Sequence, residues 1–125
     1  MDKDDKPSVL PRANNVVIPE GKIHYSMRKD ENKSILWQSI LGFTYEKDAP
    51  FVRKQIEEGV LKYGCIQSKT DKYGNHYYVV VLMISHNNTK HRVLTTWIDD
   101  IEAKETRLTT LYPLTDKEKK EVIIL

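Results

Sequence analysis

Two stretches near the C-terminal end carry side chains able to hold a phosphate or move a proton: His91-Arg92-Val93-Leu94-Thr95-Thr96-Trp97 and Arg107-Leu108-Thr109-Thr110-Leu111-Tyr112. Exposed strand positions ordinarily carry Lys and Glu; here they carry Arg, Thr, Tyr and His, which donate to phosphate oxygens or exchange protons. Simple alternation sorts them into faces. His91, Val93, Thr95 and Trp97 share one side, with Arg92, Leu94, Thr96 and Ile98 opposite. Leu108, Thr110 and Tyr112 then share a side, with Arg107, Thr109 and Leu111 opposite. Each group also has a structural reading. A strand threonine serves as a β-former, Trp97 serves a core, and Arg92 and Arg107 either bind substrate or pair with Asp99, Asp100 or Glu102.

Other chemistries lack their parts. His24, His76, His86 and His91 show no metal-ligand spacing such as an i, i+4 helical pair, so no metal site is expected. Asp99-Asp100-Ile101-Glu102 is acidic, but no neighbouring strand centre offers a carboxylate to complete a two-metal cage. Cys65 stands alone, which excludes an internal disulfide framework and a multi-cysteine zinc site. There is no glycine-rich phosphate loop, and no cofactor is expected. His24 and His91 remain as groups that titrate near neutral pH.

The elements that must position these residues follow from periodicity. Apolar spacing predicts a helix near 20–27, a charged loop over Arg28–Lys33, and a helix over 31–41 with Gly42 at C′. A longer helix is expected over 47–63, with Asp48 as N-cap, Pro50 in the first turn and Gly64 as its stop. After Cys65 the period changes to two. Strands are expected over 76–85, 90–99 and 106–112, with 65–70 as a possible fourth at the edge. Helices followed by an antiparallel meander give an α+β fold, the N-terminal helices packed on one face of a three- to four-stranded antiparallel sheet.

Residues 1–17, charged and proline-containing, read as a flexible leader before a single domain over 18–125, although Val16-Val17-Ile18 could dock as an edge strand. The terminal 115–125 stretch fits either a short helix or a strand. The 125 residues suit one domain. The longest apolar run, Tyr77–Ile84, is 8 residues, far below the ~20 that span a membrane, so no membrane-spanning segment is expected. No signal peptide is expected either. Twenty Lys+Arg against 18 Asp+Glu give a net charge of +2, so an anion site must be local rather than a property of the bulk charge. Lys90, His91, Arg92, Lys104 and Arg107 gather on the strands and would supply such a site.

Ile18-Pro19-Glu20-Gly21-Lys22-Ile23, Tyr25-Ser26-Met27, Lys33-Ser34-Ile35-Leu36-Trp37 and Leu41-Gly42-Phe43 resemble a domain common at the C-termini of bacterial polymorphic and contact-dependent growth inhibition toxins. The later runs His91–Trp97 and Arg107–Pro113 resemble that group's strand signatures, and Leu10-Pro11-Arg12-Ala13-Asn14 resembles its linker. The layout is also similar, more loosely, to the barnase–EndoU–colicin–RelE-like ribonuclease superfamily. Lys33, Arg92, Arg107, Thr110 and Tyr112 match the pattern; no histidine does.

The resemblance implies an antibacterial ribonuclease, independent of metal. Arg92 or Arg107 would stabilise the phosphate, and Thr110 or Thr109 would orient it. Tyr112, Lys33, His24 or His91 would act as acid and base, with Thr95 and Trp97 as further substrate contacts. Its partners would be an RNA substrate and a cognate immunity protein. The domain would be monomeric when free and delivered as the tip of a larger toxin into a target-cell cytoplasm. The alternative is a non-catalytic binding module that uses the sheet face to hold a protein or nucleotide.

Overall fold

A computed structural model describes residues 8–115 of the chain. Helix α1, Glu20–His24, continues as a π-helical turn, Tyr25–Lys29. Helix α2, Glu31–Leu36, likewise ends in a π-helical turn, Trp37–Leu41, and α3 spans Tyr45–Lys62. Four strands follow: β1 (Cys65–Asp71), β2 (Gly74–Ile84), β3 (Lys90–Asp100) and β4 (Glu105–Pro113). They form one antiparallel sheet in the order β1-β2-β3-β4, and the helices pack on one of its faces. This is the expected α+β arrangement, with the edge strand present.

Local chemistry moves three expected boundaries. The charged loop shrinks to Asp30, whose carboxylate accepts the Lys33 N–H at 3.1 Å and starts α2 immediately. Thr44, not Asp48, caps α3: its Oγ1 accepts the Lys47 N–H, while Asp48 reaches back to accept the Thr44 N–H at 2.8 Å. Asp48 thus takes the returning role of a capping box, one residue later than usual. Pro50 consequently lies inside the helix rather than in its first turn. Gly42 does end the preceding segment, at φ 73°.

The core lies between the helices and the inward face of the sheet. Val79, Val81, Met83, Val93, Leu108 and Leu111 are buried there beneath Ile23, Met27, Trp37, Phe43, Val52 and Ile56. Burying each such side chain contributes roughly 1.5–3 kcal/mol. One hydrogen-bonded chain fastens this layer to β4: Trp37 Nε1 donates to Ser26 Oγ at 2.9 Å, and the Ser26 hydroxyl donates to the Leu111 carbonyl.

The expected leader needs correction from Ser8 onward. Leu10 is 2% exposed and part of the core, because it can bury an apolar side chain that a free leader would leave in water. Ser8 bridges Cys65 in β1, and Val17 pairs in parallel with Arg107 in β4, so residues 8–17 touch both edges of the sheet. Val17 thus docks at the sheet edge through an isolated bridge rather than as a strand. The first seven residues and the helix-or-strand alternative for 116–125 lie outside the described residues.

Candidate functional site

The alternation expected for β4 is broken by a bulge. Thr96 pairs with Thr110 and Trp97 with Leu108, leaving Thr109 as the extra residue. Leu108 and Leu111 therefore both turn into the core, while Arg107, Thr109, Thr110 and Tyr112 stay at least partly exposed. Thr109 Oγ1 lies 2.6 Å from the Thr96 hydroxyl across the strands.

Beside the bulge, Thr109 and Thr110 form one wall of an open cleft of about 420 Å³; Pro19, Gly21, Lys22 and Tyr25 form the other. Lys33 borders it from α2. Its Nζ is 3.5 Å from Thr110 Oγ1 and 3.5 Å from Asp30 Oδ2. The same ammonium lies 5.6 Å from the Tyr112 ring centroid and 5.8 Å from that of Tyr25. The ammonium is thus held by cation–π attraction to two rings, a hydroxyl and the Asp30 carboxylate, with none of these contacts short. The Lys33 backbone N–H and then its charge hold the Asp30 carboxyl below its ordinary range, so this cation keeps an ionised neighbour.

Lys33, Thr110, Tyr112 and Thr109 are thus brought together; Arg107, His91 and His24 are not, and Arg92 neighbours only Tyr112. Arg107 Nη1 binds Glu105 at 3.0 Å and Asp100 at 3.3 Å; these bonds raise its pKa further and commit its charge to the protein itself. Arg92 lies on the outer face opposite Leu82, two residues along β3 from Leu94, the partner of Tyr112, and about 13 Å along the strand from Thr96. His91, one residue farther, hydrogen-bonds Thr89 Oγ1 at 2.8 Å in the β2–β3 turn. His24 turns toward α3, edge-on to Tyr45 with ring centroids 4.7 Å apart.

Thr95 and Trp97 cannot touch a ligand. Both are fully buried: Trp97 Nε1 donates to Thr95 Oγ1, which donates to the Val79 carbonyl, each at 2.8 Å. Their polar atoms satisfy one another inside the core.

Sequence reasoning passed over Tyr25, Lys22 and Asp30. The adjacency of Tyr25 and Lys33 depends on how two short helices fold back, which no local spacing encodes. His86, exposed in the β2–β3 turn, also carries a role that spacing does not show. His86 Nε2 meets the buried Asp48 carboxylate at 2.9 Å, pinning the β2–β3 turn to the start of α3. Burial raises the Cys65 thiol pKa, as expected of a structural cysteine. Among the described residues, no group of three or more His, Cys, Asp or Glu could hold a metal ion. Among them, too, no helix is long and apolar enough to cross a membrane.

Residues 9–115 match the family model described as Domain of unknown function (DUF6883). The chain belongs to this family. The match covers the Leu10 anchor, all three helices and all four strands, so the cleft of this DUF6883 domain is built wholly from family-matched residues. No curated protein and no solved structure matches the chain.

Proposed function

We propose that this DUF6883 domain is an antibacterial toxin domain that cleaves RNA without a metal ion, in the cleft between α1 and the β4 bulge. The observation carrying the reading is the Lys33 ammonium, held beside Thr110 and two tyrosine rings at the border of an open cleft. In such a cleavage the ribose 2′-oxygen forms a bond to phosphorus as its proton leaves to a base. The P–O5′ bond breaks, and O5′ receives a proton. The Lys33 ammonium stabilises the charge that grows on the phosphorane oxygens, and the Thr110 hydroxyl orients one of them. Tyr112, as its phenolate, takes the 2′-OH proton, and the Lys33 ammonium gives one to O5′. Arg107, His24 and His91 have no part in it.

The proposal includes delivery as the tip of a larger toxin into a target-cell cytoplasm and neutralisation by a cognate immunity protein, for which an acidic surface would complement Lys22 and Lys33. The test is incubation of the purified domain with total RNA, with and without EDTA. Cleavage unaffected by EDTA and lost in Lys33→Ala is expected; intact RNA overturns the reading. Induced expression should likewise arrest growth.

One observation favours a second reading, a non-catalytic binding module. The sheet face away from the helices presents Tyr78, Val80, Leu82 and Leu94 without covering elements among the described residues, and Ile66 is 44% exposed. Under that reading RNA stays intact and a ligand protects this face from hydrogen exchange.

A further inference from the structure

We infer that the cleft takes nucleic acid as a single strand, with a phosphate at Lys33 and Thr110 and an unpaired base against the Tyr25 ring. This rests on the reading of the cleft as an RNA site and narrows its substrate class to unpaired segments.

Tyr25 is the starting point. It opens a π-helical turn, a backbone irregularity frequent at functional sites, and lines the cleft while 52% exposed. A tyrosine left open beside a cation suits base stacking, which every nucleobase can supply only when it is not already stacked in a duplex. Space for the base exists on the same wall: a Cβ placed on Gly21 would meet no atom within 4 Å. The cleft volume of about 420 Å³ is that of a small-ligand site and matches one nucleotide unit better than a helix.

The phosphate seat follows from the way Lys33 is held. Both polar contacts of its ammonium are 3.5 Å long, beyond the usual N–H···O range of about 2.7–3.2 Å, so its donors retain capacity for an incoming oxygen. The arginines are mostly committed more tightly: Arg12 to Asp99, Arg28 to Glu46, Arg53 to Glu20, and Arg107 to Glu105 and Asp100. A duplex, offering phosphates but no free bases, needs a track of available cations, and this surface has spent most of its arginines internally. A single strand needs only one or two phosphate contacts and a ring.

The decisive experiment measures fluorescence anisotropy of a labelled 2′-O-methyl oligoribonucleotide of about eight residues, which binds without being cleaved. It is compared with the same sequence in a perfect duplex. The expected result is single-strand binding at least tenfold tighter than duplex binding. Tyr25→Ala should weaken it at least fivefold and Tyr25→Phe should restore it, since stacking needs the ring and not the hydroxyl. Gly21→Leu should obstruct the base while leaving the fold intact.

With Lys22 and Lys33 as the phosphate contacts, log K should fall against log salt with a slope near −1.4, and Lys33→Met should halve it. Equal or tighter duplex binding, no binding by the wild type, or indifference to Tyr25→Ala overturns the inference. If the single strand binds through Tyr25 but unmodified RNA is never cut, the ribonuclease reading fails and this one stands. If RNA is cut equally by wild type and Tyr25→Ala, the reverse holds.

Discussion

Ser68 in β1 and Thr109 in β4 are each the extra residue of a bulge in an edge strand. Around Ser68 the side chains spend their hydrogen bonds on one another. Ser68 Oγ donates to the His76 carbonyl, Gln67 and Thr70 both bind Asn75, and His76 meets Asp71 at 2.9 Å. Thr109 is itself bonded to Thr96 at 2.6 Å, but the neighbouring Lys33 stands 3.5 Å from Thr110 Oγ1 and Asp30, and an open cleft adjoins it. The same irregularity closes one edge and leaves groups available at the other. Polar residues alone therefore do not single out a candidate site; loosely held ones beside a cleft do.

The sharpest way to break this contrast is to remove one polar group from each edge. Lys33→Ala should lower RNA cleavage by about a hundredfold or more, the scale seen when a transition-state charge loses its donor. Gln67→Ala should leave the rate unchanged, and similar losses in both variants would show that the edges do not differ. Arg107→Ala should also keep the rate, since its charge is internally paired.

A matched pair of serines compares how the edges are held. Ser26→Ala strands the buried Trp37 N–H and takes a donor from the Leu111 carbonyl, so urea unfolding should show a loss of about 2 kcal/mol. Ser68→Ala, at the exposed edge, should lose less than about 0.5 kcal/mol.

Over β2 the helical layer is fitted by an absent side chain rather than by hydrogen bonds. A Cβ on Gly59 would come within 2.7 Å of Val81 Cγ1. Gly59→Ala should therefore destabilise by about 1–2 kcal/mol despite its better helix propensity. Adding Val81→Ala should recover part of the loss in a double-mutant cycle, and full additivity would show that the contact is not the cause.

The smallest effect is the pH dependence shared by the two edges. Backbone N–H donors lower the pKa of Asp30, through Lys33, and of Asp71, through Tyr73. Carboxylates depressed in the folded state stabilise it fully above their unfolded value of about 3.9, and lose that contribution as pH falls through the folded value. Urea midpoints should stay level from neutrality to about pH 5 and then decline. Asp30→Asn and Asp71→Asn should each flatten that decline slightly. A decline steepened by either variant would contradict the assigned direction.

Much of the architecture was legible because helix and strand periods differ so clearly on either side of Cys65, and because Gly42 names its own role. The site was only half legible. Strict alternation put Leu108 with Thr110 and Leu111 with Arg107, whereas both leucines point inward. The spacing Leu108-x-x-Leu111 within a strand is a signal for a bulge that period-two reasoning overlooks. Thr95 shows the opposite difficulty, since a buried threonine bound to an indole N–H has the same one-letter record as one on a binding face. Lys33 entered only as a position in a resembling motif, and its neighbours come from contacts between elements. Leu10 was obscured by the charged residues that precede it.

Residues 8–17, which bridge Cys65 at one edge and Arg107 at the other, have a consequence for self-association. Unpaired strand edges template intermolecular pairing, the route to aggregates and swapped dimers. With Val17 removed, the Thr106–Leu108 backbone would lose its paired groups, and β4 would present a longer bare edge next to the bulge. Any fusion or processing event that cuts inside this strap would thus convert a self-contained domain into one prone to polymerise, even with every helix and strand retained.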